Sequence, residues 1–263
     1  MRTLPAYYAV LFVSIAQRYL TKDNVSFPWE HLVLIQNYHN PLEFFSISWS
    51  LSVEEQFYLA IAPLLCLLAS FKAVNRTIIL VVLLLLPETF RILWWYEHTS
   101  ETHVRWDGCI MGVLLANIRY SYEKIWGWLL KYAHYCAFIT LFIYLLSFYN
   151  RWHPELGLPD PNKLILAFMF GAWVIFANSE HRCIKNLYIP GANYIATRSY
   201  AMYLLHPEAL ALVKRFILDL PFIVYFSSAL IITLILSEIL YKLIEKPFMD
   251  LREKLKISKS KTS

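Results

Sequence analysis

The chain has 263 residues, 58% hydrophobic and 17% aromatic, with only 16% charged and a mean hydropathy of +0.45. A soluble domain carries about a quarter charged residues, so this composition excludes an ordinary soluble enzyme. The net charge of +5 comes from helix ends and the tail rather than from a basic patch interleaved with aromatics, which argues against a nucleic-acid module.

Apolar runs recur at about the length that a ~30 Å hydrocarbon layer demands. They predict an all-α polytopic membrane protein with spans near 4–20, 53–70, 78–96, 104–118, 126–148, 164–178, 199–217 and 222–244. The fourth and sixth are short. The first has no small-residue cleavage site after it, so it stays as a span. Lys and Arg concentrate on one side, at Arg2, Lys72, Arg76, Arg119, Lys124, Arg182, Lys185, Arg198 and the tail from Lys242. The other side carries Lys22, Arg151, Lys163, Lys214 and Arg215. The positive-inside rule then places both termini in the cytoplasm. Residues 1–246 form the membrane domain and 247–263 a basic cytoplasmic tail.

The loop before the second span faces the exterior and carries Trp29, His31, Tyr38, His39 and Trp49, rings suited to an interfacial segment. It leads into Ser48-Trp49-Ser50-Leu51-Ser52-Val53-Glu54-Glu55-Gln56-Phe57-Tyr58-Leu59. Ser52 and Glu55 fit a capping box, and both glutamates then fall in a first helical turn, where the dipole favours carboxylates. Neighbouring helix positions point about 100° apart, which makes Glu55 the cap and Glu54 the freer, reactive-facing group. The same residues also fit a helix end at the water interface.

The third span holds Pro87, Glu88 and Arg91 near its middle. Ionisable groups at that depth face a cavity or a partner; here they read either as an i,i+3 pair beside a kink or as an arginine that binds an anion. The fourth opens Arg105-Trp106-Asp107-Gly108, and Gly108 with Gly112 lets a helix or a ligand approach the backbone. An arginine at a helix start needs a nearby anion, for which Glu54 or a substrate suits better than Asp107, on another face. The seventh aligns Ser199, Tyr203 and His206 on one stripe, and Pro207 is expected to open the helix locally. His206 reads as a core residue or a proton carrier. Glu245 and Pro247 close the last helix. The remaining histidines and Cys66, Cys109, Cys136 and Cys183 show no metal-ligand spacing, and the cysteines read as small core residues.

Trp49-Ser-Leu-Ser-Val-Glu-Glu-Gln-Phe-Tyr-Leu59 resembles the signature of the acyltransferase 3 family, integral membrane enzymes that O-acylate mainly carbohydrate. The Arg105-Trp-Asp107 element, the Ser199 to His206 pattern and the closing Glu245-Lys-Pro247 are similar to family motifs in the same order. The resemblance implies a domain of about ten helices whose first two spans, including a catalytic histidine, precede Met1 and are absent here; no residue of this chain takes over that histidine's role, and the chain by itself is expected to have low or no activity.

Under this resemblance the chain transfers an acyl group, by family default acetyl, from acyl-CoA to a hydroxyl of a cell-surface or exported carbohydrate in the bacterial inner membrane. Glu54 and His206 are the candidate proton-handling groups and Arg105 the oxyanion stabiliser. Trp49, Ser52, Glu55, Tyr58, Arg91, Asp107, Ser199 and Tyr203 line the substrate path. The donor is a substrate, and no metal or tightly held cofactor is expected. Expected partners are membrane lipid, acyl-CoA, the carbohydrate acceptor and a protein supplying the absent helices, with no nucleic acid. The alternatives are a non-catalytic remnant and a transporter or flippase, although no matched half-repeats are found.

Overall fold

Each of the eight apolar runs becomes a helix in the computed structural model. It describes residues 3–21, 26–38, 44–94, 100–153, 155, 157, 161–179, 181, 188–216 and 221–261. The helices are α1 (Thr3–Thr21), α2 (Trp49–Leu68), α3 (Ala73–Trp94), α4 (Asp107–Ser121), α5 (Glu123–Trp152), α6 (Lys163–Ala177), α7 (Ala192–Phe216) and α8 (Phe222–Leu240). No strand occurs among the described residues. Arg2, Lys22, His39, His98, Arg182, Cys183 and Lys185 lie outside them.

Three helical stretches among the described residues are long and apolar enough to cross a membrane: Ser46–Leu68, Glu123–Trp152 and Phe222–Lys254. The 30 residues of α5 extend about 45 Å. They present Phe138, Ile139, Phe142 and Leu145 outward, a surface that suits lipid rather than water. As expected, α4 and α6 are short, at 15 residues each. Cys66 and Cys136 are exposed rather than buried in a core, and Cys109 alone of the described cysteines is partly buried.

Two local expectations are corrected. The first helical turn of α2 begins at Trp49, behind a 3-10 turn at Ser46–Ser48. Ser52 and Glu55 therefore lie inside the helix and form no capping box at its start. Pro247 does not end the last helix either. After α8 the chain makes a π-helical turn, Tyr241–Glu245, and continues helically over Lys246–Lys261. A proline ring clashes with the carbonyl four residues back, and a wide π turn is a local adjustment that lets a helix pass such a residue.

The chain divides into two compact units. One comprises Leu34–Pro41 and Trp49–Tyr188, hence α2 to α6. Its core gathers Phe57 and Ile61 of α2, Leu80 and Leu84 of α3, and Ile110, Met111 and Leu114 of α4. Gly171 of α6 allows close approach to α4, since a Cβ there would come within 3.2 Å of the Met111 Cγ. At one end Arg76 of α3 donates to Asn117 Oδ1 and, at 2.6 Å, to Ser121 Oγ, while Asn117 Nδ2 donates to Thr77 Oγ1 at 2.9 Å.

The other unit comprises Met1–Val33, Leu42–Ser48 and Ile189–Ser263. Here the Tyr7 and Tyr8 hydroxyls tie α1 to the carbonyls of His31 and Leu32, each at 2.8 Å. His31 is buried, whereas Trp29 is exposed. Glu238 on α8 joins α7 through Arg198 at 2.5 Å and through the Tyr194 hydroxyl at 2.8 Å. The Arg198 guanidinium also lies 3.9 Å from the Tyr194 ring centroid and 4.2 Å from that of Tyr241. Lys242 reaches Glu238 from a far more exposed position.

Because Arg198 combines ion pairing with two ring faces, Arg198→Ala is expected to lower the melting temperature of the detergent-solubilised protein clearly more than Lys242→Ala. A fluorescence melt of both variants beside the wild type measures this.

Candidate active site

The candidate site in the α2–α6 unit is built on one buried arginine. Arg91, on α3, donates through Nε and Nη2 to Glu88 Oε2 at 3.0 and 2.6 Å. Its Nη1 donates to the Val104 carbonyl at 2.6 Å, and Nη2 also reaches Asp107 Oδ2 at 2.8 Å. The other oxygen of Glu88 accepts from Asn162 at 2.7 Å, and Asn162 caps α6 by accepting from the Ile165 amide. Arg91 thus fastens the starts of α4 and α6 to α3. With its side chain 6% exposed and four of its five N–H donors in hydrogen bonds, it positions the site instead of presenting a cation to a ligand. Asp107, expected to stand apart from Arg105, is Arg91's partner.

A second polar knot holds the preceding loop. Gln56, inside the α2 motif, donates to the Leu34 carbonyl at 2.6 Å and to Asn37 Oδ1 at 2.9 Å. Thr102 donates to Gln56 Oε1 and accepts from Asn37 Nδ2 at 2.9 Å. Ser100 closes the ring by donating to the Asn37 carbonyl at 2.9 Å. Asn37 is fully buried, so these partners satisfy groups that would be costly left alone. Asn37 and Thr102 were not among the sequence-predicted residues, since polar loop residues carry no periodic signal, and Gln56 was quoted within the motif without a role.

Between α4 and α6 this framework leaves a cavity of about 350 Å³. Trp49, Arg105, Asp107 and Lys163 form its polar mouth, and Gly108, Gly112, Leu166 and Phe170 are among its apolar walls. The Arg105 guanidinium lies 5.6 Å from the Trp49 ring centroid, in cation–π range. Lys163 sits in the field of Arg105, Arg91 and Asp107; sequence reading had counted it only as a loop charge. A Cβ added at Gly108 or Gly112 would meet nothing within 4 Å. The two glycines therefore widen a cavity and do not seat another helix.

Glu54 is exposed on α2, with the Tyr58 hydroxyl within hydrogen-bonding reach one turn on and Cys109 of α4 close enough to feel its charge. Trp49, Glu54, Tyr58, Arg105 and Asp107 thus share one unit, as do Ser52, buried within α2, and Glu55. Ser199, Tyr203 and His206 belong to the other. There Ser199 is exposed and donates to its own helix, and the Tyr203 hydroxyl donates to the Ile47 carbonyl at 2.9 Å.

His206 has a geometry with chemical consequences. Contrary to expectation, α7 runs unbroken through Pro207. Proline has no N–H, so the Tyr203 carbonyl loses its usual donor four residues on. His206 Nδ1 takes that place at 2.8 Å. A carbonyl only accepts, so the proton is assigned to Nδ1 and Nε2 keeps its lone pair as a base.

Replacing Arg91 by Met would strand buried Asp107 and the Val104 carbonyl. The expected loss is about 3–5 kcal/mol of stability, the usual cost of removing one member of a buried ion pair. A thermal or denaturant melt in detergent measures it.

A family model described as an acyltransferase domain matches residues 3–242. No curated protein and no solved structure gives a match. The family match covers the α2 motif, the Arg105–Asp107 element and the His206 stripe together; the chain belongs to the acyltransferase 3 family of membrane proteins.

Proposed function

We propose that the chain moves an acyl group, acetyl by family default, from acyl-CoA to a hydroxyl of a cell-surface or exported carbohydrate. The observation that carries this reading is the cavity mouth: two cations, Arg105 and Lys163, backed by the Trp49 ring at the entrance to a glycine-widened apolar slot. Acyl transfer needs donors aimed at a developing oxyanion, a base near the attacking hydroxyl and a site that keeps water from the thioester. Arg105 suits the first role, and Lys163 adds a second cation at the same mouth. The apolar walls shield the acyl group. Glu54 takes the proton of the attacking hydroxyl, and His206, whose Nε2 is left as a base, is the second candidate proton-handling group. The alkoxide adds to the thioester carbonyl, the tetrahedral oxyanion collapses, and the departing thiolate of coenzyme A collects a proton. The basic loops and tail support an inner-membrane placement with cytoplasmic termini; the mouth then opens to the exterior, where the carbohydrate acceptor is met, and the cytoplasmic donor reaches the site from the opposite face. Two aromatic residues of α2, Trp49 at its start and Tyr58 midway along it, offer ring faces to a sugar.

Membranes containing the protein together with a partner that supplies the family's first two helices are expected to transfer labelled acetyl from acetyl-CoA to glycan. Glu54→Gln, Arg105→Ala and His206→Ala should each lower that transfer at least tenfold without lowering membrane abundance. Undiminished labelling in all three would overturn these roles, and transport of unmodified glycan with no labelled product would favour a transporter.

Gly112→Leu supplies a separate check of the slot, because its side chain enters open space rather than a neighbour. Transfer from donors longer than acetyl should fall at least tenfold relative to transfer from acetyl-CoA, with the melting temperature little changed. An unaltered chain-length profile would show that the acyl group lies elsewhere.

A further inference from the structure

Within the unit containing α1, α7 and α8, two adjoining cavities share Ser14, Gln17 and Glu208. The first, about 210 Å³, is polar; Arg18 and Thr21 line it with the shared residues, and Phe44 and Phe45 wall it. The second, about 440 Å³, is apolar, bounded by Val10 and Val13 of α1, Leu205 and Leu212 of α7, and Leu240 at the end of α8. Along α1 the cavity walls descend from Gln17 to Ala9, about 12 Å at the helical rise.

The polar chamber contains two groups of opposite charge that make no ion pair and no side-chain hydrogen bond among the described residues. Arg18 lies in the last turn of α1, where the helix dipole favours a cation. Its guanidinium rests 4.9 Å from the Phe44 ring centroid. Its Nε is shut off from solvent and has no hydrogen-bond acceptor among the described residues. Glu208 faces the same chamber and makes no ion pair or hydrogen bond among the described residues. An N–H withdrawn from water without a partner is destabilising. A cation and a partly buried carboxylate at the head of an apolar slot match a ligand carrying the complementary charges in sequence, with a hydrocarbon tail.

We propose that these cavities hold a membrane phospholipid with an ethanolamine headgroup. Its phosphate accepts from Arg18, its ammonium donates to Glu208, and one acyl chain descends the slot between α1, α7 and α8. A lipid with a net negative headgroup would satisfy Arg18 but set its charge against Glu208. Diacylglycerol would fill the slot and leave both charged groups unpaired. The inference is independent of the acyl-transfer site, and its test needs no catalytic activity.

The full chain, purified in detergent and stripped of lipid, is titrated with phosphatidylethanolamine, phosphatidylglycerol or diacylglycerol of identical chains. Binding is read by native mass spectrometry and by the shift in melting temperature. Phosphatidylethanolamine should bind at least tenfold tighter than the other two. Arg18→Gln should weaken both phospholipids about tenfold, and Glu208→Gln should abolish the preference for ethanolamine over glycerol. Leu212→Trp, which fills the slot and leaves both charged residues in the chain, should weaken all three lipids. Equal binding of phosphatidylethanolamine and diacylglycerol would overturn the proposal, as would a preference for phosphatidylglycerol. A chain that dimerises and takes up no lipid would overturn it too, since a second copy would then cover the face. Should Arg18→Gln fail to fold, the Glu208 and Leu212 variants still decide between these outcomes.

Discussion

The coordination of the Arg91 guanidinium governs the α2–α6 unit. It is buried among Glu88, the Val104 carbonyl and Asp107, and Glu88 passes the connection on to Asn162 at the start of α6. Burying a charge is unfavourable unless it is paired and hydrogen-bonded, so the arrangement admits few alternatives. It joins the beginnings of α4 and α6 to the end of α3, and so places Arg105 and Lys163 at the same opening. The ion pairs are themselves no measure of net stability. Their consequence is geometric, because the cavity mouth keeps its shape only while that hub is intact.

Around this hub the polar groups divide by whether the protein satisfies them. Asn37, Gln56 and Thr102 exhaust one another's capacity in holding the loop to α2. Arg198 and Glu238 do the same between α7 and α8. Glu54, His206 Nε2 and Arg18 are different, since each retains capacity that bonds among the described residues do not absorb. His206 shows how a helix can produce such a group. The proline after it removes a backbone donor, the imidazole compensates through Nδ1, and the far nitrogen is thereby made a base.

The glycines show a related division. Gly108 and Gly112 have open space where a Cβ would be, whereas Gly171 lies against Met111. All three suit close packing by composition, yet only Gly171 is used for it. A spacing of four places two small residues on one helical face. Whether that face meets a helix or a void depends on where α6 lies, and α6 is oriented partly by an asparagine cap that pairs with Glu88 on α3.

By itself the sequence determined the helical class, the approximate positions of the eight helices and the acyltransferase family, although α7 starts at Ala192, ahead of the expected 199, and the last helical run continues to Lys261, well past the expected 244. Those properties follow from apolar run length and from a contiguous motif, both local in the chain. It also placed Trp49, Glu54 and Arg105 among the candidate site residues. Tertiary structure alone decided that Arg91 is a positioning group, that Lys163 joins the cavity mouth, and that Pro207 and Pro247 interrupt no helix. It also decided that Arg18 and Glu208 face one chamber. The physical reason is the range of the interactions: backbone hydrogen bonding and hydrophobic run length act within a few residues, whereas the pairing of a buried charge depends on which distant segment supplies the partner.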